Sequence, residues 1–311
     1  MKLLWEMARE NLIYLAGLTL MLVISLNFSL IESRAVESQI LYRTRSDLMP
    51  LPVLGKSDGV PVVSAQGVIA IDMESRVVLY EKNADLPMLP ASTTKIMTAL
   101  VAIADYDLDE ILTMDGEWVE GQKMGLVKGE KITVRDLLDG VLIYSANDGA
   151  ELLAREYMGG QEAFIFEMNR KAKELGLSKT SFVNPTGLDE VGHVSTARDL
   201  VYLTEVAMKN PLFVSIVGTK EKTVSSVDGK IDHKLTNINE LLGKVDGVLG
   251  VKTGWTENAR ENLVTYVERG GHKVMIALMG SQDRFGETEE LIEWIFRSYD
   301  WKTLEVPYSS P

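Results

Sequence analysis

The sequence predicts an α+β protein in which an antiparallel sheet of about five strands, drawn from both ends of the chain, is covered by a layer of helices. Two observations predict this fold. Short β-rich runs occur before residue 81 and after residue 247, and helical apolar spacing fills the middle of the chain. This order favours an α+β arrangement over a parallel βαβ series. With 46% hydrophobic residues, the 311-residue chain can bury one large core or two modest ones.

The first 31 residues are predicted to form a membrane anchor or signal segment. Residues 11–31 are 21 consecutive residues without a charge, a length that spans a bilayer as a helix. A cleaved signal has a shorter apolar region, of about 7–15 residues, and residues 33–35 (Ser-Arg-Ala) are a weak cleavage site. A retained anchor is therefore favoured over a cleaved signal. Residues 32–60, which contain Pro50 and Pro52, are predicted to be a linker.

Residues 61–300 are predicted to form one catalytic domain, followed by a short tail at residues 301–311. The predicted strands are residues 67–72, 76–80, 248–254, 262–267 and 273–278. The predicted helices are residues 92–106, residues 133–144, a segment that ends before Gly176, and residues 287–299.

Charge and cysteine content narrow the function classes. A net charge of −13 argues against nucleic acid or an anionic membrane surface as an electrostatic partner. Without cysteine there is no thiolate nucleophile, disulfide or cysteine-ligated metal. The three histidines are far apart in sequence and none lies in an H-E-x-x-H pattern, so no metal or organic cofactor is implied. Small molecules and polymers remain as substrates.

A serine and a lysine lie three residues apart at the predicted start of the first helix. Residues i and i+3 share a helix face, so the Ser92 hydroxyl and the Lys95 amine can meet. A neutral lysine can activate a serine, and burial, a second cation or the helix N-terminus lowers a lysine pKa. Alternatively, Ser92 only caps the helix, because Ser-x-x-Lys arises by chance about once in a chain of this length.

Two further motifs strengthen the catalytic interpretation. Ser145 and Asn147 follow the predicted helix at residues 133–144 and place a hydroxyl and an amide at its end. Lys252, Thr253 and Gly254 end a predicted strand, where the glycine allows a close approach of backbone to a ligand. Each motif is weak alone, but their order and placement together are specific.

With these three motifs the sequence resembles the penicillin-recognising serine enzymes. More narrowly, it is similar to the D-alanyl-D-alanine carboxypeptidases of the low-molecular-mass penicillin-binding type, peptidase family S11. The likeness covers residues 64–299 and extends to residues 184–188, 195–199 and 247–254. It implies a β-lactamase/transpeptidase-like fold and removal of the terminal D-alanine of peptidoglycan stem peptides through an acyl-enzyme. It also implies acylation by β-lactam antibiotics, and the implied reaction needs no cofactor.

The resemblance implies roles on the helical side of the site. Ser92 attacks the carbonyl between the two D-alanines, and Lys95 takes its proton. Ser145 relays a proton to the leaving amine. Asn147 holds the peptide and Lys95.

The resemblance also implies roles on the strand side. Lys252 adds positive charge opposite the Ser–Lys pair, and Thr253 binds the terminal carboxylate. The backbone N–H groups of Ser92 and Trp255 form the oxyanion hole. Arg284 matches a basic position that helps to hold the carboxylate, although a solvated loop charge is an equal alternative.

One position departs from the family pattern, and three other activities remain as alternatives. Family members commonly carry Ala-Gly where this chain has Ala259 and Arg260, which would alter substrate access or activity. A DD-endopeptidase uses the same machinery. A serine β-lactamase of class A needs a glutamate before an asparagine, and residues 179–183, before Asn184, contain no acidic residue. A non-catalytic cell-wall-binding relative is the alternative of another class.

The implied substrate also predicts the location of the domain. Cell-wall peptide lies outside the cytoplasm, so the catalytic domain is expected on the extracytoplasmic side of the cell membrane, held by a single span at residues 11–31. Secretion after signal cleavage is the alternative.

Overall fold

A computed structural model describes residues 49–55, 59–117 and 119–303, together with Thr19, residues 21–23 and Ser25. Most of the predicted anchor at residues 11–31, most of the predicted linker, and the tail after residue 303 lie outside the described residues. The elements that follow belong to one unit, residues 51–302.

Between residues 49 and 303, the described residues form eleven strands and seven α-helices. The strands are β1 (Leu51–Leu54), β2 (Gly67–Asp72), β3 (Val78–Lys82), β4 (Ile111–Thr113), β5 (Lys131–Thr133), β6 (Glu221–Ser225), β7 (Asp232–Thr236), β8 (Val248–Thr256), β9 (Arg260–Arg269), β10 (His272–Ser281) and β11 (Tyr299–Lys302). The helices are α1 (Lys95–Asp105), α2 (Val134–Ile143), α3 (Asn147–Arg155), α4 (Gly160–Glu174), α5 (Ala197–Ala207), α6 (Pro211–Val217) and α7 (Arg284–Ser298), with a 3-10 turn, Ala91–Thr94, directly before α1.

A five-stranded antiparallel sheet joins the two ends of this unit. Its strand order is β3-β2-β10-β9-β8, so an early strand, β2, pairs with a late strand, β10. Ala70 lies opposite Ile276, and Ala277 lies opposite Val264. The predicted α+β class, with a sheet built from both ends of the chain, is confirmed.

Side chains that alternate along β2 enter two separate cores. Ile69 and Ile71 belong to a core shared with α1, α2, α3 and α5. Val68 and Ala70 belong to a second core, shared with α7. Neighbouring strand residues point to opposite faces of a sheet. Because helices cover both faces, β2 is buried at every position, and its sequence is apolar as far as Ile71.

Local hydrogen bonds set where several elements begin. The Thr133 hydroxyl accepts the Asp136 backbone N–H and caps α2, as a threonine at this position should. The predicted strand at residues 76–80 instead begins at Val78, because Arg76 adopts a left-handed conformation with φ of 66° and its N–H donates to the Asp72 carbonyl. The predicted helix at residues 92–106 divides into the 3-10 turn and α1.

Several elements were not predicted from the sequence. They are α3, α5 and α6, and three two-stranded ladders, β1 with β11, β4 with β5, and β6 with β7. β1 lies inside the segment predicted to be a linker, and β11 crosses the predicted start of the tail. No single helix among the described residues is long and apolar enough to cross a membrane; α5 and α6, bent by 115°, meet that criterion only when taken together.

Candidate active site

Ser92 lies in a tight turn that close backbone contacts hold in place. Ala91, just before it, adopts a left-handed conformation with φ of 48°. A Cβ at Gly187 would lie 1.8 Å from the Ala91 carbonyl oxygen, and a Cβ at Gly254 would lie 2.9 Å from the Ser92 nitrogen. Only glycine, which has no Cβ, allows positions 187 and 254 to lie this close to the backbone of Ala91 and Ser92. The loop at residue 187 and strand β8 therefore support the serine from two sides.

Lys95 is fully buried directly below Ser92. Its Nζ lies 3.0 Å from Ser92 Oγ, 2.6 Å from Asn147 Oδ1 and 2.7 Å from the Thr186 carbonyl oxygen. The amide and carbonyl oxygens can only accept hydrogen bonds. A neutral amine has two hydrogens, and these two acceptors use both. Its lone pair is then left for the Ser92 hydroxyl, which donates to it.

The surroundings of Lys95 favour that neutral form. Burial lowers the pKa of Lys95 from 10.5 to about 7, while the nearby carboxylates of Glu151 and Asp148 act in the opposite direction. A lysine with a pKa near 7 is present in both protonation states at neutral pH, as a general base requires.

Ser145 and Asn147 lie where α2 ends and α3 begins. Ser145 adopts a left-handed conformation with φ of 62° and is 2% exposed. Asn147 is the first residue of α3, and its side-chain amide donates to the Glu120 carbonyl oxygen at 2.7 Å. The Asn147 side chain thus joins Lys95 to the segment around residue 120.

Lys252 is a second buried lysine, on strand β8. Its Nζ donates to Ser145 Oγ and to the Thr253 carbonyl oxygen, each at 2.9 Å. Burial holds the pKa of Lys252 well below its usual value, and the positive charges of Lys95 and Arg284 act in the same direction. The Ser145 hydroxyl is therefore bonded to an amine on the opposite wall.

These residues surround one cleft of about 670 Å³ between the helical layer and the sheet. Ser92, Ser145 and Asn147 line it on the helical side; on the strand side it is lined by Thr253, Gly254, Trp255 and Arg284. Every residue predicted to form the site therefore lines the cleft or, for Lys95 and Lys252, contacts a lining residue.

Two atoms in the strand wall are buried without a partner. Thr253 Oγ1 and Arg284 Nε make no hydrogen bond within the described part of the chain. Arg284 donates instead through Nη1 to the Gly254 carbonyl oxygen at 3.1 Å. The structure thus places Arg284 in the cleft wall and not as a solvated loop charge.

Two other residues discussed from sequence lie elsewhere. Arg260 is exposed at the first position of β9, with φ of 59°, a backbone conformation that favours glycine. His193 lies behind the nucleophile turn: its Nδ1 accepts the Val183 N–H, so its Nε2 donates to Thr94 Oγ1 at 2.8 Å. Burial lowers the pKa of His193 to about 4, so the ring is neutral at physiological pH.

Sequence reasoning missed the backbone groups that complete the site. The Thr186 carbonyl contacts Lys95, and the carbonyls of Glu120 and Gln122 contact Asn147. The Asn-Pro-Thr-Gly turn at residues 184–187 was a usable signal, since the Asn184 side chain accepts the N–H groups of Thr186 and Gly187. No comparable signal marks residues 120–122.

A serine paired with a buried lysine, in a cleft between a helical layer and a five-stranded antiparallel sheet, defines a serine acyl-enzyme-forming hydrolase of β-lactamase/transpeptidase-like fold. The family model described as D-alanyl-D-alanine carboxypeptidase matches residues 55–283. The chain belongs to this family.

Relatives and solved structures agree with this assignment. The chain is 33% identical to D-alanyl-D-alanine carboxypeptidase DacF of Bacillus subtilis, over 77% of this chain and 64% of DacF, slightly less than two thirds of that relative. It is 36% identical to DacB2 of Mycobacterium tuberculosis, over 76% of this chain and 84% of DacB2. The crystal structure of the Streptomyces K15 DD-transpeptidase matches 77% of this chain and 99% of its own, with a TM-score of 0.72 and 32% identity.

Proposed function

We propose that this protein is a serine-type D-Ala-D-Ala carboxypeptidase that removes the terminal D-alanine from peptidoglycan stem peptides. The observation that carries the proposal is the position of Lys95 Nζ, with two obligate acceptors and the Ser92 hydroxyl around it. This geometry supports Lys95 as the base that activates the serine.

The proposed reaction has two halves. In the first, the Ser92 proton passes to Lys95, Oγ attacks the carbonyl carbon of the penultimate D-alanine, and the peptide bond breaks. A proton relayed through Ser145 leaves with the terminal D-alanine amine. In the second half, Lys95 takes a proton from water, and the water oxygen attacks the carbonyl carbon of the acyl group. The bond to Ser92 Oγ then breaks, and Lys95 returns its proton to Oγ, which releases the shortened peptide as a carboxylic acid.

The developing oxyanion is proposed to bind the N–H groups of Ser92 and Trp255. Gly254 supports this assignment, because its missing side chain brings β8 against the Ser92 backbone. Losing one such donor costs on the order of 10²–10³ in rate. The catalytic power therefore depends on how closely the strand and the turn approach each other.

The terminal carboxylate of the substrate is proposed to bind at the strand wall. Thr253 Oγ1 is a buried hydroxyl without a partner among the described residues, and Arg284 lies beside it in the lining of the cleft. A bound carboxylate would also favour the protonated form of Lys252, because an opposite charge raises a lysine pKa. The site would thus bind a free acid more tightly than its amide.

Two measurements on the full-length chain test this function. Fluorescent penicillin should label the wild type covalently, and Ser92→Ala should abolish the labelling while leaving the melting temperature nearly unchanged. Labelling that persists in Ser92→Ala would remove Ser92 as the nucleophile. A folded wild type that is never labelled would indicate a non-catalytic relative.

Product analysis then separates the related activities. A carboxypeptidase should release D-alanine from a pentapeptide that ends in D-Ala-D-Ala. Cleavage of cross-linked dimers without D-alanine release would identify a DD-endopeptidase. Rapid turnover of penicillin without a stable label would identify a β-lactamase.

We further propose that residues 11–31 hold the catalytic domain on the extracytoplasmic side of the cell membrane. The uncharged 21-residue run and the wall-peptide substrate support this arrangement. Protease added to intact spheroplasts should digest the domain, and a protected domain would contradict the proposal. A soluble, shortened product would identify a cleaved signal.

A further inference from the structure

A short segment of the cleft wall holds the side of Asn147 that faces away from Lys95. We name residues 120–126 the cleft loop; its residues 120–122 line the cleft. The Glu120 carbonyl oxygen accepts the Asn147 side-chain amide, and the Gln122 carbonyl oxygen accepts the Asn147 backbone N–H, each at 2.7 Å. The orientation of Asn147, and through it the contact with Lys95, depends on where this loop lies.

Asp148 binds the other end of the cleft loop. Its buried carboxylate accepts the backbone N–H groups of Met124, Gly125 and Leu126 at 2.9–3.0 Å, and also that of Gly149. Three successive loop amides thus converge on one side chain of α3. Asp148 is 2% exposed, so these bonds are largely shielded from water.

His233, on strand β7, holds the same loop from another element. Its Nδ1 lies 3.0 Å from the Met124 carbonyl oxygen, which can only accept, so Nδ1 donates. Its Nε2 lies 2.6 Å from Glu130 Oε1, and Glu130 Oε2 accepts the Val127 N–H at 3.0 Å. His233 and Glu130 are 5% and 4% exposed. A buried histidine, distant in sequence from all three catalytic motifs, therefore bonds the loop two residues from Gln122.

We propose that His233 and Asp148 are positioning residues for acylation: they hold the Met124 backbone through its carbonyl and its N–H respectively, and so fix the cleft loop that orients Asn147 against Lys95. This inference rests on the proposed function and deepens it. Neither residue has to touch the substrate. Each acts by keeping the acceptors of Asn147 in place, and a shift of about 1 Å at such a distance can cost about 10² in rate.

The variant His233→Phe tests this role, because it keeps a ring and removes both ring nitrogens. Lys222→Met is a matched control on the same hairpin. Lys222 Nζ bonds the buried Asp139 carboxylate at 2.5 Å and so joins β6 to α2. Within the part of the chain that the structure describes, this contact does not involve the cleft loop. Each variant leaves a buried carboxylate without its side-chain partner, Glu130 in His233→Phe and Asp139 in Lys222→Met, so both should destabilise the fold. Only His233→Phe also removes a bond to the cleft loop.

Two further variants separate positioning from stability. His233→Phe combined with Glu130→Gln removes the unpaired buried charge, which should recover much of the melting temperature without restoring the bond to Met124. His233→Asn places an amide N–H near the position of Nδ1, which should restore that bond alone. If His233→Phe does not fold, the double variant carries the test.

The expected result is a loss confined to acylation and to the loop. The rate of acylation by fluorescent penicillin should fall about 10- to 100-fold in His233→Phe and in the double variant, recover in part in His233→Asn, and stay within about twofold of wild type in Lys222→Met. Hydrogen exchange measured by mass spectrometry should become faster in segments covering residues 124–126 and 147–149, and remain unchanged in β9. The same should follow for Asp148→Asn.

Two results would overturn the inference. One is an unchanged acylation rate and unchanged exchange in folded His233→Phe; the other is an equal loss in Lys222→Met. Hydrogen exchange does not depend on activity, so it still shows whether His233 and Asp148 hold the cleft loop if penicillin never labels the wild type. Failure of the proposed function and failure of this inference are therefore distinguishable.

Discussion

The two walls of the cleft each contain a buried lysine, but they are prepared in different ways. On the helical wall, Lys95 has acceptors for both amine hydrogens and a hydroxyl for its lone pair. On the strand wall, Lys252 bonds Ser145 and a neighbouring carbonyl, while Thr253 Oγ1 and Arg284 Nε stay unpartnered within the described residues. The helical wall is complete in the free enzyme, whereas the strand wall leaves polar atoms for a ligand.

This difference separates chemistry from recognition. A group that must transfer protons gains from fixed partners, because no reorganisation is then needed during the reaction. A group that binds a carboxylate works best if it has no hydrogen-bond partner before binding. A ligand that supplies the missing hydrogen bond then binds more tightly than one that does not. Substitutions on the helical wall should therefore lower the acylation rate, whereas substitutions on the strand wall should change the substrate preference.

The largest effect is expected from Lys95→Met. Loss of the base should lower the acylation rate at least about 10³-fold, since general-base catalysis contributes about 10²–10⁴ and no other base among the described residues bonds the Ser92 hydroxyl. Stopped-flow acylation by penicillin would measure it, with circular dichroism to verify the fold. An equal loss in Lys252→Met would abolish the difference between the walls.

Gly254→Ala should give the next largest effect. The new Cβ would lie 2.9 Å from the Ser92 nitrogen and 3.0 Å from the Ala91 side chain, so the strand and the turn must move apart. We expect acylation to fall about 10²-fold. Gly218→Ala, where the nearest atom would be 3.3 Å away at the end of α6, is the control. Normal acylation in Gly254→Ala would show that this close approach is not needed.

Thr253→Val should change recognition more than chemistry. The substitution keeps the shape and removes the hydroxyl that lacks a partner among the described residues. We expect the preference for a peptide acid over its C-terminal amide, compared as kcat/KM, to narrow about 10-fold, as a hydrogen bond to a charged group contributes about 1.5–3 kcal/mol. A lower kcat with an unchanged preference would place Thr253 on the chemical side.

The smallest effect is a displaced pH profile. Lys95 must be neutral to accept a proton, so acylation should rise as pH increases through about 7, its pKa, and then level off. The Glu151 carboxylate favours the protonated amine, so Glu151→Gln should move the midpoint to lower pH by less than about one unit. The measurement is the acylation rate as a function of pH in both proteins. A midpoint at higher pH in Glu151→Gln would contradict this explanation of the Lys95 pKa.

The sheet and the three motifs were predictable because each depends on local spacing. Short β-rich runs identified β2, β9 and β10, and the i, i+3 spacing of Ser92 and Lys95 gave their contact. Short ladders such as β4–β5 span three residues per strand, too few for a period to emerge.

The rest of the site could not be predicted because it uses backbone atoms or distant contacts. The Thr186 carbonyl has no side-chain signature, and nothing local in the sequence links His233 to Met124. The conformation of Ser145, with φ of 62°, is set by tertiary contacts and not by its residue type. Arg76 also adopts a left-handed conformation, in a local turn with Asp72, and the predicted second strand therefore begins later, at Val78.

The pairing of β2 with β10 also controls when activity can arise. Synthesis produces Ser92 and Lys95 more than 150 residues before β8 and its Gly254 exist. Until the last strands join the first, the nucleophile turn lacks the strand that supports it. We therefore expect that a chain still emerging from the ribosome is not acylated efficiently, because the order of the sequence itself delays reactivity until folding is complete.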